Sequence, residues 1–232
     1  MPTRLILLHG FAGTARHWDR VIAALPPGRF EPLALELADA RPLSADGVAD
    51  LVAARGGERF VMAGYSMGGR LALHAALALP ERVARLVLLS TSAGIEDPDE
   101  RAARAAADGA LAAAIERSSI EDFIERWASV ALFAGDPGWL REEVAEDERR
   151  CTPVALAATL RGLGVAAMAP MWERLGELEM PVALLAGERD ERYVALGRRL
   201  ADAITGARLT VVPGAGHRLA LEAPVAVAGA LH

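Results

Sequence analysis

A single cysteine, Cys151, stands among 232 residues, so neither an intramolecular disulfide nor a cysteine-based zinc site can form. No apolar run approaches the ~20 residues that a membrane span requires. Leu5-Ile6-Leu7-Leu8 is too short for the core of a signal peptide and is followed by no cleavage site; it reads as a strand. A basic excess is missing too: the net charge is −6 and the pI near 5.5, which excludes the phosphate-binding footprint of a nucleic-acid protein. All 25 basic residues of the Lys and Arg class are arginine, but they are scattered among acids on apparent helix faces, as solvated surface is. These absences lead us to expect a soluble cytoplasmic protein, a monomer or small homo-oligomer, that acts on a small molecule and not on nucleic acid or membrane.

The chain does have apolar residues in quantity, 53% against 24% charged, enough for one domain with a sizeable core. Short β-rich runs alternate with helical stretches. Strands are expected over residues 4–8, 30–37, 59–63 and 83–90, with helices over 17–25, 45–55 and 67–79 between them. From about Gly94 to Leu178 no strand stands out, and the stretch is rich in Ala, Glu and Arg. Gly135-Asp136-Pro137-Gly138, Gly162 and Gly164 are read there as turns between helices. Alternation resumes with strands over 182–186 and 208–212 and helices over 192–203 and 224–230. Continuous apolar strands separated by helices imply a mostly parallel, doubly wound α/β sheet covered on both faces. Residues 1–93 and 179–232 are expected to form the core, and 94–178 an inserted helical cap.

The strongest chemical signal is Gly64-Tyr65-Ser66-Met67-Gly68-Gly69. A nucleophile elbow needs small residues on either side of its serine, a strand before and a helix after, and all are present. No lysine follows, and the glycine spacing fits neither a P-loop nor a dinucleotide fingerprint. A serine hydroxyl needs a base, and the base an orienting carboxylate. His217 lies in the loop after the 208–212 strand, whereas His9 precedes the elbow, His17 and His74 fall on helices and His232 is terminal. After the 182–186 strand come Glu188 and Asp190; Asp190 is preferred because it lies further past the strand end. Both loops leave strand C-termini, where α/β sheets gather their functional groups. A developing oxyanion would be met by the backbone N–H of Met67 and by that of Phe11 in His9-Gly10-Phe11-Ala12-Gly13.

Leu8-His9-Gly10-Phe11, His17-Trp18, the elbow with Arg70, Gly187-Glu188-Arg189-Asp190 and Ala215-Gly216-His217 together resemble the α/β-hydrolase superfamily. Arg70, the stretch Glu100–Asp108, Phe123-Ile124-Glu125-Arg126-Trp127 with Phe133-Ala134, and Leu160–Gly164 ahead of Met171–Leu175 are similar to one branch of it. That branch is the 2-succinyl-6-hydroxy-2,4-cyclohexadiene-1-carboxylate synthases of menaquinone biosynthesis. The resemblance implies a lyase: the serine–histidine pair removes a proton, and pyruvate is eliminated. It implies no metal and no organic cofactor. It also implies a substrate with several carboxylates, for which arginines are suited as two-pronged clamps. Arg70, one helical turn past Ser66, and Arg104 match substrate-binding positions, Tyr65 and Trp127 match pocket aromatics, and Arg149 or its neighbour Arg150 is the candidate for a third arginine. The chain departs from the family at Glu36–Pro42, where Asp-Leu-Pro-Gly-His-Gly is usual, and at Ala128, where an aromatic is expected.

A carboxylesterase or thioesterase working through an acyl-enzyme would use the same triad. A non-catalytic binding protein on this fold is a third class, against which the complete set of triad residues speaks.

Overall fold

The computed structural model describes residues 2–232. Six strands form one parallel sheet: β1 (Thr3–Leu8), β2 (Phe30–Leu35), β3 (Phe60–Tyr65), β4 (Val83–Leu89), β5 (Val182–Gly187) and β6 (Arg208–Val212), in the order β2-β1-β3-β4-β5-β6. The chain leaves β1 for one edge of the sheet and then returns to β3 on its other side. That reversal opens a crevice beyond the C-terminal ends of β1 and β3. Register sets the two exits side by side, with Leu8 opposite Gly64.

The helices are α1 (Asp19–Ala23), α2 (Ala45–Gly56), α3 (Met67–Ala78), α4 (Pro98–Glu116), α5 (Ile120–Ala128), α6 (Gly138–Glu148), α7 (Pro153–Leu163), α8 (Glu191–Ala203), α9 (Leu219–Glu222) and α10 (Pro224–Ala230). Strand side chains alternate between the two faces, which divides the core in two. Ile6, Leu8, Met62 and Leu88 pack with Val48 and Val52 of α2, Leu71 of α3 and Leu200 of α8. On the other face Leu5, Leu7, Val87 and Leu89 pack with Trp18, Val21 of α1, Leu219 of α9 and Val227 of α10. Both faces are covered, which explains why the strands read as unbroken apolar runs.

α4 to α7 fall between β4 and β5 in the chain. They bury a small cluster of their own, Ala112, Ile115, Phe123, Ile124, Leu156 and Leu160, and close it on Ala12 and Phe11 of the β1 exit loop. Local chemistry starts these helices: Asp97 caps α4, Ser119 and Asp122 make a capping box on α5, and Thr152 caps α7 ahead of Pro153.

Three sequence expectations change. Gly162 is no turn; it lies inside α7, where a Cβ would sit 2.2 Å from the Leu43 carbonyl oxygen, so the glycine admits a close backbone approach. The second strand ends at Leu35 and gives way to a 3-10 turn over Leu37–Asp39. The short α9, directly after His217, has no periodic signal of its own and is found only through its burial against Leu7 and Trp18.

Helix propensity alone would make Gly162→Ala stabilising by roughly 1 kcal/mol. The Leu43 contact reverses that sign, because the added methyl must displace backbone, and a loss of about 1–3 kcal/mol is expected. Urea unfolding midpoints of the two proteins decide between the two signs.

Candidate active site

The elbow is built by glycines that nothing larger could replace. A Cβ on Gly68 would lie 2.2 Å from the Leu8 carbonyl oxygen and 2.3 Å from that of His9. One on Gly64 would meet the Gly68 carbonyl oxygen at 2.3 Å. This close approach lets β3 turn into α3 within one residue, and that residue, Ser66, is held at φ 54° and ψ −112°. A positive φ is costly for serine, and the surrounding backbone must enforce it. Ser66 N–H donates to the Leu89 carbonyl (2.9 Å), and the Thr91 hydroxyl donates to the Ser66 carbonyl (2.7 Å).

The Ser66 Oγ lies 3.1 Å from His217 Nε2, and His217 Nδ1 lies 2.6 Å from Asp190 Oδ2. The His217 and Asp190 side chains are buried. With Nδ1–H donating to the carboxylate, Nε2 is the acceptor that faces the serine hydroxyl. Aromatic rings wall the imidazole: Tyr193 at 4.6 Å, Tyr65 at 5.3 Å and Phe133 at 5.9 Å between centroids. Glu188, the rival acid, instead accepts from Gly214 N–H at 2.8 Å and ties the two loops together. The loops are laced further by Arg189 N–H on the Ala215 carbonyl (2.9 Å). A Cβ on Gly187 would sit 2.1 Å from the Gly216 carbonyl oxygen.

Met67 opens α3, so its N–H is one of the four that a helix leaves without an internal partner. The Phe11 loop lies alongside: a Cβ on Gly10 would be 2.7 Å from the Tyr65 ring and 3.6 Å from Ser66 Cβ. His9 is structural, as expected. Its Nδ1 lies 2.8 Å from the Gly10 carbonyl oxygen and its Nε2 3.2 Å from Leu37 N–H, so one tautomer, protonated at Nδ1, satisfies both.

Arg70 is buried, with Nε on Met168 Sδ (3.4 Å) and Nη2 on the Leu163 carbonyl (3.2 Å); burial pushes its pKa down to about 10. It remains a cation at neutral pH, and it pairs with no carboxylate among the described residues. Arg104 is half exposed and bound to Asp108 at 2.7 Å, whose Oδ2 is buried without a partner. Tyr65 is stacked on His17 at 4.9 Å, and burial raises its phenol pKa. Trp127 packs on Phe11 (5.1 Å) and Phe133 (5.6 Å) with its Nε1 buried and unpartnered. Arg149 is not gathered with these groups: it is exposed, on the rim of a cavity, and gripped by both oxygens of Glu121 at 2.9 and 3.1 Å. Arg150 lines the same rim.

That cavity, about 870 Å³, lies between the segment from Phe11 to Asp19 and α6. Two charged residues beside it were not singled out from the sequence. Arg218 follows His217 directly, and adjacency was its only signal. Glu148 ends α6 and is nearly sealed; burial pushes its pKa up to about 7. His17, in the cavity wall, is pushed down to about 3 by burial and is neutral. Among the described residues no three or more His, Cys, Asp or Glu side chains cluster so as to hold a metal ion.

A serine on a strand-to-helix turn at the C-terminal edge of a parallel sheet, linked through a histidine to a buried aspartate, is the arrangement of an α/β-hydrolase-fold enzyme. The chain belongs to the alpha/beta hydrolase family, whose model matches residues 5–230. It is similar to a putative 2-succinyl-6-hydroxy-2,4-cyclohexadiene-1-carboxylate synthase of Bacillus subtilis (strain 168), 32% identical across 95% of this chain and 85% of that protein. The synthase of that name from Enterobacter sp. (strain 638) is 29% identical across 98% and 89%. Among solved structures, that of MenH from S. aureus superposes with a TM-score of 0.89 at 25% identity, covering 99% of this chain and 93% of the other.

Glu148 gives a pH signature. Its folded pKa lies above the ordinary carboxylate value, so its contribution is fully present below about pH 4.5 and is lost as pH rises through about 7. Glu148→Gln stays neutral throughout. Relative to the wild type it should therefore gain stability between pH 5 and pH 8, read as a widening gap between melting temperatures. A constant gap would mean that the carboxyl titrates normally.

Proposed function

We propose that this protein is a 2-succinyl-6-hydroxy-2,4-cyclohexadiene-1-carboxylate synthase that eliminates pyruvate from a cyclohexene substrate in menaquinone biosynthesis. Ser66, His217 and Asp190 are its catalytic residues. The observation that carries the reading beyond the family is Arg70: a buried guanidinium one turn beyond Ser66, with only a thioether and a carbonyl as partners. Asp108 acts on it only through space and is bonded to Arg104, so the buried cation has no paired anion, and a substrate carboxylate would supply one.

In this reading His217, oriented by Asp190, draws the proton from Ser66, and the pair removes a substrate proton next to a carbonyl. Charge then develops on the carbonyl oxygen, where the N–H groups of Phe11 and Met67 receive it. The enolate re-forms its carbonyl as the ring C–O bond to the enolpyruvyl group breaks; the departing enolpyruvate takes the proton held by His217 and becomes pyruvate, and no acyl-enzyme forms. Residues 94–178 act as a cap over a core of 1–93 and 179–232. Tyr65 and Trp127 supply apolar walls, and Arg104 joins Arg70 as a second clamp. An esterase would use the same triad, but an ester substrate gives Arg70 no task.

Pyruvate release from the enolpyruvyl cyclohexene substrate, coupled to lactate dehydrogenase, tests the proposal. Ser66→Ala and His217→Ala should each lower kcat by about 10²–10⁴, the usual contribution of general acid–base groups. Arg70→Ala should raise KM more than tenfold, as expected for a lost charge-assisted pair. Turnover of p-nitrophenyl esters with no pyruvate released would assign the triad to hydrolysis instead.

A further inference from the structure

Arg218 follows His217 in the chain and lines the 870 Å³ cavity, whose lining includes Phe11 of the β1 exit loop but neither Ser66 nor His217, and it is only partly committed. The residue is 5% exposed, and its guanidinium lies 3.9 Å from the centroid of the Phe133 ring, which in turn packs on His217 at 5.9 Å. Nε donates to Asp136 Oδ2 at 2.8 Å. The two η nitrogens make no hydrogen bond among the described residues. Arg218 shares the wall of the cavity with Phe11 and His17.

Other arginines of this chain show what a purely structural pair looks like here. Arg20 grips Glu143, and Arg149 grips Glu121, each through Nε and an η nitrogen onto both carboxylate oxygens. Asp136 takes Nε alone. It fixes the guanidinium plane and leaves the η edge, the half of the fork that suits a second carboxylate, without a hydrogen bond. The acids nearby do not fill that edge. Asp147 is held by the Thr14 N–H (2.9 Å) and hydroxyl (2.6 Å), Glu143 by Arg20, and Glu148 makes no hydrogen bond to Arg218.

We propose that Arg218 binds a carboxylate of the substrate and is a specificity-determining residue of the site. This rests on the synthase reading and sharpens it, because Arg70 and Arg218 then hold separate carboxylates. Arg70 reaches Leu163 at the end of α7 and Met168 beyond it, while Arg218 reaches Phe133 and Asp136 ahead of α6. The role expected of Arg149 passes to Arg218, whose guanidinium is buried and unfilled where that of Arg149 is exposed and paired.

Steady-state kinetics on the cyclohexene substrate, alongside calorimetric titration with succinate as a plain dicarboxylate, test the proposal with Arg218→Gln, Arg218→Lys and Asp136→Asn. Arg218→Gln should raise KM at least tenfold, with a smaller fall in kcat, and should weaken succinate binding in parallel. Arg218→Lys keeps the charge without the fork and should fall between; it also serves if the glutamine variant melts too low to assay. A merely structural Arg218–Asp136 pair requires Asp136→Asn to reproduce the whole effect on KM. That result, or a KM within threefold of wild type in Arg218→Gln, overturns the proposal. If the wild type releases no pyruvate, the synthase reading fails by itself. The succinate titration then judges Arg218 alone: weaker binding by Arg218→Gln upholds the site, and equal binding removes it.

Discussion

The contact on which the site depends is between backbones: α3 at Gly68 lies against the carbonyls of Leu8 and His9 at the end of β1. A methyl group there would stand 2.2 Å from a carbonyl oxygen, so only glycine allows α3 to start so near the sheet. That nearness forces Ser66 into its positive φ and places the first N–H of α3 beside the loop that follows β1. The nucleophile and the two oxyanion donors assigned to it are therefore consequences of one steric condition. Strain at Ser66 is sustained by the apolar packing of β1, β3 and α3 together with the hydrogen bonds that tie its backbone to Leu89 and Thr91.

The other half of the site is positioned in a different way. The Asp190 and His217 loops leave neighbouring strands and are laced by polar contacts: Glu188 to Gly214, Arg189 to Ala215, and Glu222 to both Gly216 N–H (2.9 Å) and Arg218 N–H (3.1 Å). Arg189 also donates to the Gly135 carbonyl at 2.7 Å, and Arg218 holds Asp136, so one turn of the helical segment is tied to both loops. The segment over the crevice thus shares its anchors with the triad, and a shift of the 135–136 turn would be felt at Asp190 and His217 together.

What the sequence disclosed follows from the range of the forces involved. The Gly64 to Gly68 pattern is written in five consecutive residues between a strand and a helix, whatever distant backbone it meets, and the strands are long apolar runs, so elbow and sheet were both legible. His217 and Asp190 were legible because strand exits are few: His9 precedes the elbow, His17 and His74 sit on helices, His232 is terminal, and Glu188 lies nearer its strand end than Asp190. Gly162 was misread because its reason is Leu43, far away in sequence, whose carbonyl no local pattern announces. The arginines were least legible. Arg149 and Arg218 line the same cavity, and what distinguishes them is how completely Glu121 and Asp136, each on a different element, fill the guanidinium they hold.

The same criterion separates the two chemistries that this triad can perform. An acyl-transfer enzyme needs the serine, the base and the oxyanion donors, and all of these belong to the fold. Elimination from a substrate with several carboxylates needs something more, cationic groups held ready in a buried space. Burying a guanidinium without an anion costs stability, so a fold keeps one only where a ligand returns the cost on binding. Arg70 has no carboxylate partner, and Arg218 has half of one. In the proposed reading it is these incompletely paired cations, more than the triad, that suit the site to polyanions.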